Sequence, residues 1–256
     1  MIDRRTFSTL LAAGAVSAAS VGRSRAAPAA PAARNVVLAH GLYADGSSWI
    51  EVVARLQAAG LNVTSVQNPL TSLAEAVSSV KRVLARQDGP TVLAGHSFGG
   101  MIISEAGDDP KVSALVYVAA RAPDAGEDFA ALAKAYPRPP VADGLVFDGE
   151  EGRLSEKAFI HDFAGDLPAE RAKALYAVQQ PFQKALLQER TRQAAWRSKP
   201  SFYAVATEDR TINPDLQRFM AKRMDARTVE VKASHVAMIS QPDAVAALIL
   251  DAAGVG

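Results

Sequence analysis

Short, almost wholly apolar runs alternate with amphipathic stretches along most of this chain. The apolar runs lie at residues 35–40, 62–66, 91–96, 111–119, 201–206 and 227–232. Strands that are apolar on both faces and alternate with helices are typical of a parallel sheet that is covered on both sides. The pattern therefore predicts an α/β fold with a mostly parallel, doubly wound sheet.

The amphipathic stretches between these runs carry apolar residues at helical spacing, as at Leu73, Val77 and Val80. They predict helices over residues 47–59, 73–86, 101–106, 214–224 and 243–252. Ser47 is expected to cap the first of these helices and Gly60 to end it.

The alternation breaks between residues 121 and 199. That segment holds no good strand, a proline-rich patch at 136–140, and helical stretches at 155–163, 169–180 and 182–196. Because strands flank it on both sides, we predict a helical cap (121–199) inserted into a core formed by residues 35–120 and 200–256. A separate small helical domain is the alternative.

The first residues have the pattern of a targeting signal. Arg4 and Arg5 precede a weakly apolar stretch at 10–21, and Ser24 and Ala26 supply the small residues of a cleavage site. This resembles a twin-arginine signal peptide over residues 1–26, followed by a Pro/Ala linker at 27–34. It predicts export by the twin-arginine machinery to a periplasmic or secreted location. The alternative is a disordered basic N-terminus of a cytoplasmic protein.

Charge and cysteine content exclude several classes of function. Four arginines and one aspartate place +3 on residues 1–26, so a formal net charge of +1 leaves −2 on the rest. That balance argues against nucleic acid or an anionic membrane surface as a partner, and no later segment is apolar enough for a stable membrane association. The absence of cysteine excludes disulfides, a cysteine nucleophile and a thiolate metal site.

A Gly-x-Ser-x-Gly sequence stands at the end of the third apolar run. Residues 95–100 read Gly-His-Ser-Phe-Gly-Gly, between a predicted strand and a predicted helix. That context fits a nucleophile elbow, in which a strained strand-to-helix turn exposes the Ser97 hydroxyl. A glycine-rich turn that happens to contain serine is the alternative.

A serine nucleophile needs a base, an acid that orients the base, and donors for the oxyanion. His235 follows the last strand and Asp209 the strand before it, so both are expected at the sheet edge where Ser97 emerges. Asp124, after the fourth strand, is a competing acid. The remaining histidines, His40, His96 and His161, are placed less favourably for the base.

The oxyanion donors should be backbone N–H groups. Phe98 directly follows the nucleophile, and Leu42 lies in the loop after the first strand. Gly41 would let that loop approach the substrate closely.

The chain from residue 35 to its end resembles the α/β-hydrolase superfamily. It is similar to the small-capped group that includes plant methyl-ester esterases, hydroxynitrile lyases and pyrethroid-hydrolase-like bacterial esterases. The resemblance rests on four segments, which are residues 40–41, 95–100, 206–212 and 234–235. It implies Asp209 as the acid of a Ser-His-Asp triad, a small-molecule ester as substrate, and no metal or organic cofactor.

The leading hypothesis is therefore an esterase for small to medium carboxylic esters. A hydroxynitrile lyase is less favoured, because the resemblance implies Thr and Lys in that group where this chain has Gly41 and Val236. The sequence also leaves open a perhydrolase, a cofactor-free oxygenase and a ligand-binding protein without catalysis.

The substrate pocket is expected to involve Gly41, Val236 and aromatic residues of the cap, namely Phe159, Phe163 and Trp196. The alternative for these aromatics is that they only hold the cap helices together.

Overall fold

A computed structural model describes residues 32–255 of the chain. The predicted signal peptide and most of the predicted linker lie outside the described residues. The first half of the core contains β1 (Asn35–Ala39), α1 (Ile50–Ala58), β2 (Asn62–Val66), α2 (Leu73–Ala85), β3 (Thr91–His96), α3 (Gly99–Ala106) and β4 (Val112–Val118).

The start of α1 differs from the prediction. A 3-10 turn, Gly46–Trp49, precedes α1, and the side chain of Asp45 accepts a hydrogen bond of 2.7 Å from Ser47 N. Asp45 is therefore the cap, two residues before the expected Ser47. The prediction missed this because Asp and Ser are both good N-caps, and only the local fold selects between them.

The segment between β4 and the second half of the core is not wholly helical. It contains α4 (Phe129–Ala133), β5 (Leu145–Asp148), β6 (Glu151–Leu154), α5 (Glu156–Ala158), α6 (Ala169–Ala177) and β7 (Phe182–Gln183). A π-helical turn, Phe159–Phe163, follows α5 directly. The strands β5, β6 and β7 form a small antiparallel sheet.

The expected helix over 182–196 does not form. Phe182 instead pairs with Gly152 of β6. A Cβ built on Gly152 would lie only 2.5 Å from the Phe182 ring. The missing side chain at Gly152 thus lets an aromatic ring lie against the strand, and this tertiary contact outweighs the helical propensity of 182–196.

The second half of the core returns to the α/β alternation, close to the predicted bounds. Its elements are β8 (Ser201–Ala206), α7 (Pro214–Arg223), β9 (Arg227–Val231), α8 (Ala237–Ser240) and α9 (Pro242–Ala253).

Six parallel strands form the main sheet, in the order β2-β1-β3-β4-β8-β9. This confirms the predicted α/β fold with a parallel sheet and flanking helices. Ala39 of β1 pairs with Gly95 of β3, so the loops that follow these two strands leave the same edge side by side. In sheets of this kind, ligands bind at the carboxyl edge where the strand order reverses, which here is between β1 and β3.

The central strands are fully buried, since every residue of β1 and of β3 is buried. Among residues 32–255, no helix is both long and apolar enough to cross a bilayer.

Candidate active site

Ser97 occupies the turn between β3 and α3 in a strained conformation. Its φ is 53°, a left-handed value that a residue with a side chain rarely adopts. Three backbone hydrogen bonds hold it there: Ser97 N donates to Val118 O (3.2 Å), and Ser97 O accepts from Gly100 N (3.0 Å) and Arg121 N (2.9 Å). The turn therefore has the geometry that a nucleophile elbow requires.

A glycine of β3, two residues before Ser97, makes this turn possible. A Cβ on Gly95 would lie 2.5 Å from the carbonyl oxygen of Gly99, which is too close for a real side chain. The spacing of these two glycines around Ser97 thus has a steric cause.

His235 and Asp209 lie together at the same edge of the sheet. His235 Nδ1 is 2.7 Å from Asp209 Oδ2, and both side chains are buried. A carboxylate oxygen accepts, so the proton is on Nδ1 and the lone pair is on Nε2. His235 Nε2 is buried and has no hydrogen-bond partner within residues 32–255.

The carboxylate of Asp209 is held by four donors. Oδ1 accepts from the backbone N–H groups of Thr211 (2.7 Å) and Ile212 (3.0 Å). Oδ2 accepts from Gln217 Nε2 (2.7 Å) as well as from His235. The buried Gln217 was missed by the sequence analysis. The sequence feature that could have indicated Gln217 is its polar side chain on the inner, otherwise apolar face of the helix after Asp209.

The competing acid Asp124 is engaged elsewhere. It accepts a hydrogen bond of 2.8 Å from Arg197 Nε, which holds the pKa of its carboxyl below the usual range. Asp124 therefore forms a surface ion pair, whereas Asp209 contacts the histidine.

Two further histidines lie beside the site, and both contact backbone carbonyl oxygens instead of a carboxylate. His96 Nε2 lies 2.9 Å from the carbonyl oxygen of His235, and the two rings are 4.7 Å apart. His40 Nδ1 lies 2.9 Å from the carbonyl oxygen of Gly41. Burial lowers the pKa of His40 and lowers that of His96 well below its usual value, so both rings are neutral donors to backbone carbonyls. The remaining histidine, His161, lies on the π-helical turn and is exposed.

Phe98 directly follows Ser97, and Leu42 follows Gly41 in the loop after β1. Neither donates a hydrogen bond to another residue of the described chain. Gly41 lies against the nucleophile, because a Cβ built on it would be 2.6 Å from Ser97 Cβ. Both N–H groups therefore remain free within the described chain.

Aromatic side chains of the cap cover His235. The ring of Phe163 is 5.2 Å from the His235 ring, and Phe159 packs on Phe163 at 4.8 Å. Phe159, Phe163 and Val236 line a narrow cavity of about 30 Å³. Tyr43, which was not predicted from the sequence, lines it as well.

Trp196 is not among the residues that line this cavity. Its Nε1 donates to the carbonyl oxygen of Pro123 (3.2 Å), and the guanidinium groups of Arg197 and Arg223 lie over its ring at 5.0 and 5.4 Å. Trp196 therefore packs at the junction of cap and core.

Within residues 32–255, no cluster of three or more His, Asp or Glu side chains could hold a metal ion.

Known proteins resemble this chain in sequence and in fold. Methylesterase 7 of Arabidopsis thaliana is 29% identical over 255 residues, which cover 86% of this chain and 96% of that protein. Salicylic acid-binding protein 2 of Nicotiana tabacum is 26% identical, with 86% and 97% covered.

Solved structures share the fold. Polyneuridine aldehyde esterase matches with a TM-score of 0.74 at 22% identity, covering 86% of this chain and 98% of that chain. A pyrethroid hydrolase from Sphingobium faniae JZ-2 matches with a TM-score of 0.75 at 24% identity, covering 87% and 98%. The Alpha/beta hydrolase family matches residues 36–248, and the chain therefore belongs to that family.

Proposed function

We propose that this protein is a serine ester hydrolase, which cleaves small to medium carboxylic esters through an acyl-enzyme at Ser97. The observation that carries the proposal is the 2.7 Å hydrogen bond between His235 Nδ1 and Asp209, at the sheet edge where Ser97 occupies a strained turn. The names of the similar proteins support an ester as substrate, since they include methylesterases and a pyrethroid hydrolase.

In the proposed reaction, His235 Nε2 takes the proton of Ser97 Oγ as this oxygen bonds to the ester carbonyl carbon. The N–H groups of Leu42 and Phe98 donate to the oxyanion that forms. The bond to the alcohol oxygen then breaks, and His235 returns its proton to the leaving alcohol. Water adds to the acyl-enzyme by the same route, which releases the acid and restores Ser97.

The cavity beside Phe163 favours an apolar group on the substrate, because aromatic rings and Val236 line it. At about 30 Å³ it is too small to hold an ester, so we propose that Phe159 and Phe163 move when substrate binds. Both belong to the π-helical turn, a local geometry that is frequent at functional sites.

The residues at positions 41 and 236 disfavour a hydroxynitrile lyase. A side chain at position 41 would collide with Ser97, and the buried Val236 supplies no cation for a departing cyanide.

The test is covalent labelling combined with a substrate panel. A fluorophosphonate probe should label Ser97 and no other residue, and p-nitrophenyl esters from short to long acyl chains should be hydrolysed. The Ser97→Ala variant should keep its circular dichroism spectrum and lose both labelling and turnover. Labelling at another residue, or turnover by the Ala variant, would refute the mechanism.

For residues 1–26 we propose a twin-arginine signal that leads to a periplasmic or secreted product. Replacement of Arg4 and Arg5 by Lys should retain the precursor in the cytoplasmic fraction. Unchanged export of this variant would contradict the proposal.

A further inference from the structure

Arg121 lies directly beside the candidate nucleophile. Its backbone N–H donates to Ser97 O at 2.9 Å. The residue before it is clamped by Tyr203, whose hydroxyl donates to Ala120 O (2.5 Å) and accepts from Ala120 N (3.1 Å). The main chain at Arg121 is therefore fixed next to the strained turn, where the chain passes from β4 into the cap.

The guanidinium group of Arg121 lies over an aromatic ring of the cap. Its Cζ is 5.0 Å from the centre of the Phe129 ring. It is close enough to Tyr43 for its charge to favour the ionised phenol, although burial dominates and raises the pKa of Tyr43 to about 12. The Tyr43 ring packs edge-on against Phe163 at 5.6 Å, and Phe163 covers His235. Tyr43 thus lies between Arg121 and the ring that covers His235.

Within residues 32–255, no carboxylate pairs with Arg121 and its side chain donates no hydrogen bond. Its Nε is buried without a partner. The residue as a whole keeps some exposure, whereas burial lowers the pKa of its guanidinium.

The nearest carboxylates along the chain are all used by other arginines. Asp124 pairs with Arg197, Glu127 with Arg223 and Asp128 with Arg190. The pair of Glu127 and Arg223 is bidentate, at 2.8 and 2.9 Å. Neutral Tyr43 offers no compensating charge. The carboxylates of this loop therefore pair with arginines from other segments and leave Arg121 beside Ser97 uncompensated.

A buried cation without a partner is costly, and a protein that needed only packing at this position would be more stable with an apolar side chain. An arginine fork is well suited to a carboxylate, with which it forms two parallel hydrogen bonds.

We propose that Arg121 binds a free carboxylate of the substrate, so that the preferred esters are half-esters of dicarboxylic acids. This inference rests on the proposed function and specifies its substrate class. Phe159 and Phe163 would contact the apolar part of such an ester, and Arg121 would neutralise its charged end.

Selectivity between matched esters tests the inference. The rate constant kcat/KM is measured for monomethyl glutarate, which is anionic, and for methyl pentanoate, which is neutral. Wild type should favour the anionic ester, and Arg121→Met should lower the anionic-to-neutral ratio by about tenfold to hundredfold. Arg121→Lys should retain part of the preference. Arg153→Met, at an exposed position of β6, is the matched control and should leave the ratio unchanged.

Binding without turnover separates this inference from the proposed function. Glutarate should raise the Tm of wild type more than glutaramide does, and this difference should vanish in Arg121→Met, or in Arg121→Gln if the Met variant does not fold. If neither ester is hydrolysed and the fluorophosphonate probe leaves Ser97 unlabelled, the proposed function fails, while glutarate binding still reports on Arg121. An equal anionic-to-neutral ratio in wild type and Arg121→Met, or equal Tm shifts in both, would overturn the inference.

Discussion

Gln217 donates to the same carboxylate oxygen of Asp209 that faces His235. Both hydrogen bonds to Oδ2 are 2.7 Å long. The Gln217 amide is itself fixed, because Nε2 also donates to Ile212 O (2.9 Å) and Oε1 accepts from Ala206 N (3.0 Å). Gln217 thus connects the end of β8 with the acid and restricts the direction in which that acid presents its charge.

Gln217→Leu should lower kcat/KM for a p-nitrophenyl ester by about tenfold, since Asp209 then has one restraint fewer. The variant should also lose about 1–3 kcal/mol of unfolding free energy, because the Ala206 N–H and the Ile212 carbonyl remain buried without their partner. Urea unfolding and steady-state kinetics measure the two effects. If kcat/KM is unchanged while stability falls, Gln217 does not position the acid.

Asp209→Asn should reduce kcat by about 10³- to 10⁴-fold, because the amide cannot hold His235 in the tautomer that leaves Nε2 free. Asp124→Asn is the matched control, since Asp124 pairs with Arg197 and not with the histidine. Its kcat should stay within a few-fold of wild type. The reverse ranking of the two variants would identify Asp124 as the acid.

Gly41→Ala should lower kcat/KM by about a hundredfold, since the added Cβ would lie 2.6 Å from Ser97 Cβ and must displace the nucleophile or the Leu42 N–H. Gly89→Ala is the matched control, because its added Cβ meets only the end of the Arg34 side chain, at 3.3 Å. Wild-type kinetics of Gly41→Ala would show that this loop does not approach the reacting atoms.

Stability should fall on acidification because of two buried histidines. Burial lowers the pKa of His96 and of His40 from the ordinary value of 6.5, so below pH 6.5 the unfolded chain takes up protons that the folded chain excludes. Their contribution is fully present above pH 6.5 and is lost as the pH falls, by up to about 1.4 kcal/mol per pH unit for each histidine.

Urea unfolding between pH 7.5 and 5 measures this slope. His40→Asn and His96→Gln each keep a donor for the backbone carbonyl, and each should flatten the slope. His161→Gln, at an exposed position, is the control and should leave it unchanged. A slope that neither buried-site variant alters would mean that the two rings do not exclude protons.

The alternation of apolar runs and amphipathic stretches was sufficient to predict the parallel sheet, which is confirmed. The strands at 91–96 and 201–206 have the predicted bounds, because strands of a covered parallel sheet stand out as short apolar runs between polar stretches. The sequence was also sufficient to place His235 and Asp209 at one sheet edge, where they form a hydrogen bond, since each stands shortly after a strand and parallel strands end at one edge. The roles of Ser97, His235 and Asp209 in catalysis stay a prediction.

The tertiary structure decided what depends on contacts between distant residues. The segment 182–196 has helical spacing, but Phe182 packs on Gly152 and forms a strand. Gln217 and Asp209 lie eight positions apart and become partners only through the path of the loop between β8 and α7. Arg121 reads as an ordinary arginine in the sequence. Its lack of a partner within the described chain emerges only when neighbouring carboxylates are seen to pair with Arg190, Arg197 and Arg223, because pairing depends on three-dimensional distance and not on sequence spacing.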